Sequence, residues 1–384
     1  MTAGAVTALV SRAGVDDWSD SMSYIEMRTF EHFLVPVARS MPSNAAYLKH
    51  LSKSADPGLI RLASNENTEP PSPRVRQALI DSYEDANLSP PPIPPLRLAL
   101  AEHHGVGADQ VLVTAGSTEV IDATLRTFVH AGDEVVIPDP LWPVCRTRLQ
   151  ALEARIVAIA LLRDETSFRY DVDAMVAAVT AATKLIVLCT PHNPAGNAMA
   201  ADEIRRIADL GVPLLIDAAY SDFDPDLDLM ALAAAYPHVM ITRTFSKAYC
   251  LAGLRVGYGV SSPELIEYVD RFLVPGSAVS STALRAGLAA LEDREYHSYQ
   301  VTRIIAERDR LTPRLRELGY KVWDSKCNFV SVNASDYPGR GDALAEELLA
   351  EGIVVRPFGA IVRISIGTRS ENEALLGAMQ AVAR

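Results

Sequence analysis

Cysteine is scarce in this chain. Its 384 residues hold four, Cys145, Cys189, Cys250 and Cys327, and no two of them stand at metal-ligand spacing. That scatter favours neither a zinc site nor a disulfide framework, and the expectation is reduced thiols in a cytoplasmic protein without a metal. Long apolar runs are missing too. No stretch reaches the ~18 apolar residues that a membrane span needs, so no membrane is expected. The N-terminal "MTAGAVTALVSRAGVDDW" lacks the basic start of a signal peptide. Positive charge is short: 36 basic residues face 48 acidic ones, a net charge of −12. An acidic surface of this kind argues against nucleic acid as a partner. No internal repeat is visible. What the chain does have is a 49% hydrophobic composition, enough for one large or two ordinary cores.

The middle of the chain alternates short apolar runs with longer amphipathic ones. "DQVLVTAG" reads as a strand and "STEVIDATLRTFVHAG" as a helix closed by Gly132. "DEVVIPDP", "TKLIVLCTP", "VPLLIDAAY", "HVMITRTFSK" and "LRVGYGV" read as further strands, with "AADEIRRIADLG" a helix between two of them. Such alternation predicts an α/β fold with a mainly parallel sheet covered on both faces. The C-terminal part differs. A helical stretch from about Pro263 to Leu318, broken near Pro275-Gly276, precedes "NFVSVNA", "GDALAEELLAEG", "IVVRPFG", "IVRISIGT" and a last helix, a pattern that predicts a smaller α+β domain. The proline-dense "NLSPPPIPPLRLAL" reads as an ordered loop or short linker.

In open α/β sheets, ligands sit beyond the carboxyl ends of the strands. The residues just past each strand are therefore the candidates for a site. After "QVLVT" come Gly116, Ser117 and Thr118, a small-residue turn opening a helix, which offers N–H groups and hydroxyls to an anion. After "EVVIPDP" comes Trp142, an aromatic for stacking on a planar ring. After "LIVLCT" comes Asn193, a neutral donor in a rigid turn. After "PLLI" come Asp217 and Tyr220, and a carboxylate at the end of so apolar a strand needs a partner. After "VMITRTF" come Ser246 and Lys247. An anion cradle, an aromatic, a donor, a carboxylate with a phenol, and a lysine together suit a planar, phosphorylated aromatic aldehyde with a protonatable ring nitrogen, which is pyridoxal 5′-phosphate. An amine among apolar residues and near cations such as Arg255 has its pKa lowered and is ready to react. Arg255 also has the forked geometry to clamp a phosphate.

With these residues in place, the chain resembles the fold-type I, class I/II aminotransferases, and within them most the histidinol-phosphate aminotransferase group. "LASNEN", "PSPRV", "AGSTEVID", "GDEVVIPDP", "PHNPAG", "IDAAY", "TFSKAYCLAGLRVGY" and "VRISIGT" carry the resemblance in order and spacing, from about Leu62 to the C-terminus. It implies Lys247 as the Schiff-base lysine, Asp217 as the pyridinium partner, and Asn193 and Tyr220 as donors to the cofactor's ring hydroxyl. It implies Trp142 for ring stacking, and Gly116, Ser117, Thr118, Thr244, Ser246 and Arg255 for the phosphate. Arg363 matches an arginine that binds the substrate's acidic group, and Arg356 a second arginine of the histidinol-phosphate group.

The resemblance also implies a large cofactor-binding domain over 71–270, and a connecting helix with a small domain over 271–384. Residues 1–70 are expected to pack with the small domain or a dimer partner. The implied activity is transfer of an amino group between an amino acid, or an amino alcohol phosphate, and a 2-oxo acid, in a homodimer. The same chemistry could be turned to elimination, cyclisation, decarboxylation or oxidation in a specialised pathway; an inactive binding protein is the remote alternative. Two departures bear on the substrate. Leu88 and Ser89 stand where the group has a tyrosine that reaches across the dimer, and "NENPYG" has become Asn65-Glu66-Asn67-Thr68-Glu69-Pro70. Asn65 and Glu69 are thus expected at the substrate.

Overall fold

A computed structural model describes residues 34–41, 56, 58–91, 94–274, 279–337 and 339–383. The chain divides into two units, Met1–Pro42 and Ser43–Arg384. Among its described residues the first shows one short helix, Pro36–Ser40, with proline at its first position, where no N–H is needed.

The second unit is built on two sheets. Seven strands make the larger: β1 (Val111–Thr114), β2 (Glu134–Asp139), β3 (Arg155–Ala160), β4 (Thr183–Cys189), β5 (Leu214–Asp217), β6 (Val239–Thr244) and β7 (Gly257–Val260). Their order is β1-β7-β6-β5-β4-β2-β3. The run from β6 to β3 is parallel, and β7 is antiparallel to both neighbours. The strand sequences explain the arrangement. β4, "TKLIVLC", is almost continuously apolar because both faces are covered. Its side chains alternate between two cores: Leu185, Val187 and Cys189 enter one, Ile186 and Leu188 the other. The chain runs outward from β2 to β3, then returns to set β4 on the other side of β2. That reversal opens a crevice at the carboxyl ends of β2 and β4, and Trp142 and Asn193 come just after those two strands.

The smaller sheet is antiparallel, in the order β8-β9-β11-β10, with β8 (Lys321–Trp323), β9 (Phe329–Asn333), β10 (Arg356–Phe358) and β11 (Ile361–Ser365). Helices Arg340–Ala350 and Arg369–Val382 accompany it. Ile60 and Arg61 pair in parallel with Ile353 and Val354, and the Ser365 N–H donates to Leu62 O at 2.8 Å. The segment entering residues 63–67 is therefore stitched to this sheet.

Two helical expectations change. The helix after β1, here α1, spans Ser117–Phe128 and stops short of Gly132, because Val129 is already extended (φ −119°, ψ 124°) and Gly132 turns the chain at φ 86°. The stretch after Pro263 is three helices, Pro263–Asp270, α2 (Ser281–Glu292) and α3 (Arg294–Glu317). Pro275 and Gly276, the expected break, lie outside the described residues.

Candidate active site

A cavity of about 490 Å³ opens at the carboxyl ends of the parallel strands, a size that suits a small-molecule site. Lys247 reaches into it from the turn after β6, its Nζ donating to Ser64 O at 3.1 Å. Burial lowers the Lys247 amine, the Arg363 guanidinium lowers it further, Glu66 opposes, and Arg255 adds to the fall; the result is about 7. Arg255 is the cation expected from sequence, and Arg363 has the larger effect.

Asp217 ends β5 at the cavity wall. Its carboxylate takes hydrogen bonds from the Ala219 N–H (3.2 Å), the Thr242 hydroxyl (3.4 Å) and the Cys189 thiol (4.0 Å), all neutral donors. Burial pushes it up to about 6. A carboxylate so placed fits a ring N–H⁺.

The phosphate-sized corner is made by close backbone approach. Gly116 precedes α1 at φ 87°, and a Cβ there would lie 2.6 Å from Arg255 Nη2. Gly257, in β7, faces the same turn, and a Cβ on it would sit on the Ser117 amide. Ser117 and Thr118 open a twelve-residue helix that no side chain caps, so their N–H groups have no intrahelical acceptor. Arg255 is left-handed (φ 56°), which turns its guanidinium back over Gly116, with Nη1 donating to Ala252 O at 3.1 Å and Ser246 Oγ at 3.4 Å. Thr244 Oγ1 accepts the Ser246 N–H at 3.1 Å and so braces the turn. The Ala115 N–H is not part of the cradle, because Glu119 Oε2 accepts it at 2.7 Å. Two glycines that admit no Cβ, two open helix amides and an arginine fit a phosphate. With Asp217 and Lys247 across the same cavity, the residues present fit pyridoxal 5′-phosphate.

The opposite wall comes from the smaller sheet. The two-residue period of β11 sends Val362 and Ile364 into the core and turns Arg363 and Ser365 to the other face. Arg363 Nη1 donates to Asn193 Oδ1 at 2.7 Å and Nη2 to Ala63 O at 2.6 Å. Arg356 pairs directly with Arg363 across β10 and β11, and both line the cavity. Tyr220, Asn193 and Asn65 meet in a buried cluster, with Asn65 Nδ2 at 3.0 Å and Asn193 Nδ2 at 3.2 Å from the Tyr220 hydroxyl. Trp142, Val144 and Phe358 add an apolar wall.

Thus thirteen of the fifteen residues expected at a site line one cavity, and Gly116 shapes it from behind. Glu69 is the exception: it does not line this cavity, and the carboxylate of its segment that does is Glu66, held by Arg61 Nη2 at 3.0 Å. The left-handed turn at Asn65 (φ 52°) redirects the chain there, and a sequence alone gives only asparagine's tolerance of that conformation as a sign. Gly257 was missed as well, although a glycine inside a strand signals close backbone approach. Among the described residues no group of His, Cys, Asp or Glu is placed to hold a metal, and no helix is long and apolar enough to cross a membrane.

Comparison with known proteins gives the chain its family. Residues 57–379 match the family described as aminotransferase class I and II. Histidinol-phosphate aminotransferase 2 of Caulobacter vibrioides is 38% identical over 330 residues, 84% of this chain and 85% of that protein. The aromatic amino acid aminotransferase of Mycobacteroides abscessus is 37% identical, covering 83% and 92%. The crystal structure of histidinol-phosphate aminotransferase from Sinorhizobium meliloti in complex with pyridoxal 5′-phosphate superposes with a TM-score of 0.84 at 26% identity, covering 93% of this chain and 99% of that one. The lysine, the buried carboxylate and the glycine-lined cradle thus have their setting: this chain belongs to the class I and II aminotransferases and is a pyridoxal-phosphate-dependent transaminase of fold type I.

Proposed function

We propose that the chain transfers the amino group of a ring-bearing amino acid or amino alcohol phosphate, with histidinol phosphate and the aromatic amino acids as the leading donors, to a 2-oxo acid. One observation carries the substrate reading. Arg356 and Arg363 oppose each other across two strands, and both line the cavity, so one wall carries two guanidiniums with the forked geometry to take acidic groups of a substrate. Arg363 takes the acidic group next to the amine, and Arg356 a second or more distant one. Trp142, Val144 and Phe358 give a planar side chain an apolar wall. The names of the two relatives above support both donor classes.

When bound, pyridoxal 5′-phosphate supplies an aldehyde that combines with amines and a protonated ring that draws electrons. Lys247 holds it and carries the proton to and from the substrate's α-carbon, a task for which an amine near pH 7 is suited. Asp217 keeps a proton on the ring nitrogen. Ser117, Thr118, Ser246 and Arg255 bind the phosphate, with Gly116 and Thr244 shaping and bracing that corner. Trp142 stacks on the ring, and Tyr220 and Asn193 serve its oxygen. We divide the chain into a larger domain over residues 71–270 and a smaller one with its connecting helices over residues 271–384, a division that the two sheets support. The working form is a homodimer in the cytoplasm. Large apolar side chains exposed at Ile80, Tyr83 and Leu88 support an interface, and four free cysteines suit a reducing compartment.

Two measurements test the reading. Borohydride reduction of the yellow holoenzyme, with peptide mapping afterwards, should label Lys247; a label on another lysine overturns the site. Histidinol phosphate, phenylalanine, glutamate and arginine should then compete as amino donors. A clear win for glutamate or arginine removes the ring-bearing donor from the proposal.

A further inference from the structure

We infer that Asn65 is a positioning residue which, together with Ser365, commits the Tyr220 phenol to donating its proton into the cavity. The inference rests on the reading of Tyr220 as a donor to the cofactor's ring oxygen. Asn65 is 1% exposed and left-handed, and all its polar groups are engaged. Its N–H donates to Ser365 Oγ at 2.8 Å, and its carbonyl accepts from Asn328 Nδ2 at 3.0 Å. Its side-chain Oδ1 accepts from Ser365 Oγ at 3.3 Å, and its Nδ2 donates to the Tyr220 oxygen at 3.0 Å.

The orientation of this amide is decided by Ser365. Ser365 is fully buried and its hydroxyl proton goes to Asn65 Oδ1; turning the amide over would put an NH₂ there and remove that acceptor, so Nδ2 faces Tyr220. A second amide is oriented independently. Arg363, which has no acceptor, donates to Asn193 Oδ1 at 2.7 Å, so Asn193 Nδ2 also faces Tyr220, at 3.2 Å. A phenol oxygen has two lone pairs and one proton. Both lone pairs receive an N–H, and the proton has to point away from both. With Asn193 alone, one lone pair would stay open and the hydroxyl could turn. Asn65 thereby ties the conformation of β11, through Ser365, to the direction of a proton at the end of the larger sheet.

The test is a pH titration of the visible absorbance of the holoenzyme. With the cofactor bound, a donated proton from Tyr220 would draw electron density from its ring oxygen and so make the lysine nitrogen give up its proton more readily. Weakening the donor keeps that proton to higher pH. Asn65→Gly, which tolerates the left-handed backbone, should raise the midpoint by roughly half to one pH unit. Asn65→Asp, whose carboxylate accepts the phenol proton, should raise it at least as far. Ser365→Ala, which keeps Asn65 but releases its amide, should move it the same way by less. The charged groups acting on Lys247, namely Arg363, Glu66, Arg255 and Asp217, are retained in all three; Asn65→Asp adds a carboxylate that raises the midpoint by itself, so the two uncharged variants, Asn65→Gly and Ser365→Ala, decide. In a Tyr220→Phe background Asn65→Gly should add nothing, because the coupled partner is gone. An unmoved midpoint in the two uncharged variants overturns the inference, as does an equal shift with and without the Tyr220 hydroxyl. Borohydride labelling separates the two levels. A label off Lys247 in the parent sinks the site reading and this inference with it; a label on Lys247 with an unmoved midpoint sinks this inference alone.

Discussion

On the sheet side of the cavity, each group sits within a few residues of a strand end: Asp217 on β5, Asn193 after β4, Ser246 and Lys247 after β6. On the loop side, Ser64, Asn65 and Glu66 lie on an irregular segment held by hydrogen bonds that span 300 residues, Asn65 to Ser365 and Arg363 to Ala63. The first half is anchored by strands whose side chains fill two cores, and its geometry is local. The second exists only when distant parts of the chain have closed on each other. Chemistry common to many substrates belongs on the strand-anchored half, and discrimination between substrates on the half held by a few long-range hydrogen bonds. Mutations should respect that division.

The largest effect is expected from one residue on each side. Lys247→Ala should lower kcat at least roughly a thousandfold, since both the anchor and the proton carrier are lost. Arg363→Ala should lower kcat/KM roughly 30- to several-thousandfold, the range for leaving a buried anion without its charged partner, and Arg363→Lys should recover only part of it because the fork is gone. Cofactor affinity should change little in either arginine variant. Arg363 is also the charge that most lowers the Lys247 amine, so its loss should move the pH dependence of cofactor capture by apoenzyme upward from about 7. If Arg363→Ala sheds cofactor as readily as an Asp217 variant does, the two halves are not separable.

Asp217 offers a sharper contrast, between function and stability within the strand-anchored half. Its folded pKa is raised to about 6 by burial. A carboxyl with a raised pKa contributes stability below its unfolded value of about 4 and loses it as pH rises through about 6. At pH 7 the apoenzyme therefore carries an ionised carboxylate at a cost of up to about 3 kcal/mol. Apo Asp217→Asn should melt higher than apo parent at pH 7, with the gap closing toward about pH 4. The holoenzyme should show the reverse order, because the ring nitrogen has lost its partner. Calorimetry of both forms across this pH range checks the crossover; an apo variant that melts lower at pH 7 would falsify the electrostatic account.

Gly257→Ala probes the cradle. A methyl group there meets the backbone of Gly116 and Ser117, which cannot move aside as a side chain would. The cost should be about 1–3 kcal/mol, read as weaker cofactor binding in an enzyme that still folds, with the substrate side unaffected. The same glycine shows what a sequence can and cannot tell. Strand ends were legible because apolar runs stop at polar residues, so Asp217, Asn193 and Lys247 stood out along with the α/β order. β7 was legible as a strand, but its antiparallel setting against β1, which brings Gly257 onto Ser117, depends on a pairing across 143 residues. The loop side was least legible. Arg356 and Arg363 were found through the resemblance, whereas the choice between Glu66 and Glu69 turns on one left-handed residue, and no periodicity encodes that.

That choice yields the smallest predicted effect and the most direct test of the loop side. Glu66 lines the cavity and raises the Lys247 amine against the pull of burial and Arg363. Its side chain is 32% exposed and paired with Arg61, so its influence is screened and belongs with ion pairs worth about 0.2–1 kcal/mol. Glu66→Gln removes the raising charge, so the Lys247 pKa should fall below about 7 by less than about one pH unit. Apoenzyme should then capture cofactor efficiently at lower pH than the parent, with its acid limb displaced downward. Glu69→Gln should leave that limb in place, since Glu69 is absent from the cavity wall. Rapid-mixing rates of cofactor capture between about pH 5 and 9, in roughly half-unit steps, resolve a displacement of that size. A shift from Glu69→Gln with none from Glu66→Gln would return the carboxylate to the position where the sequence departure first suggested it, and would mean that the turn at Asn65 runs the other way.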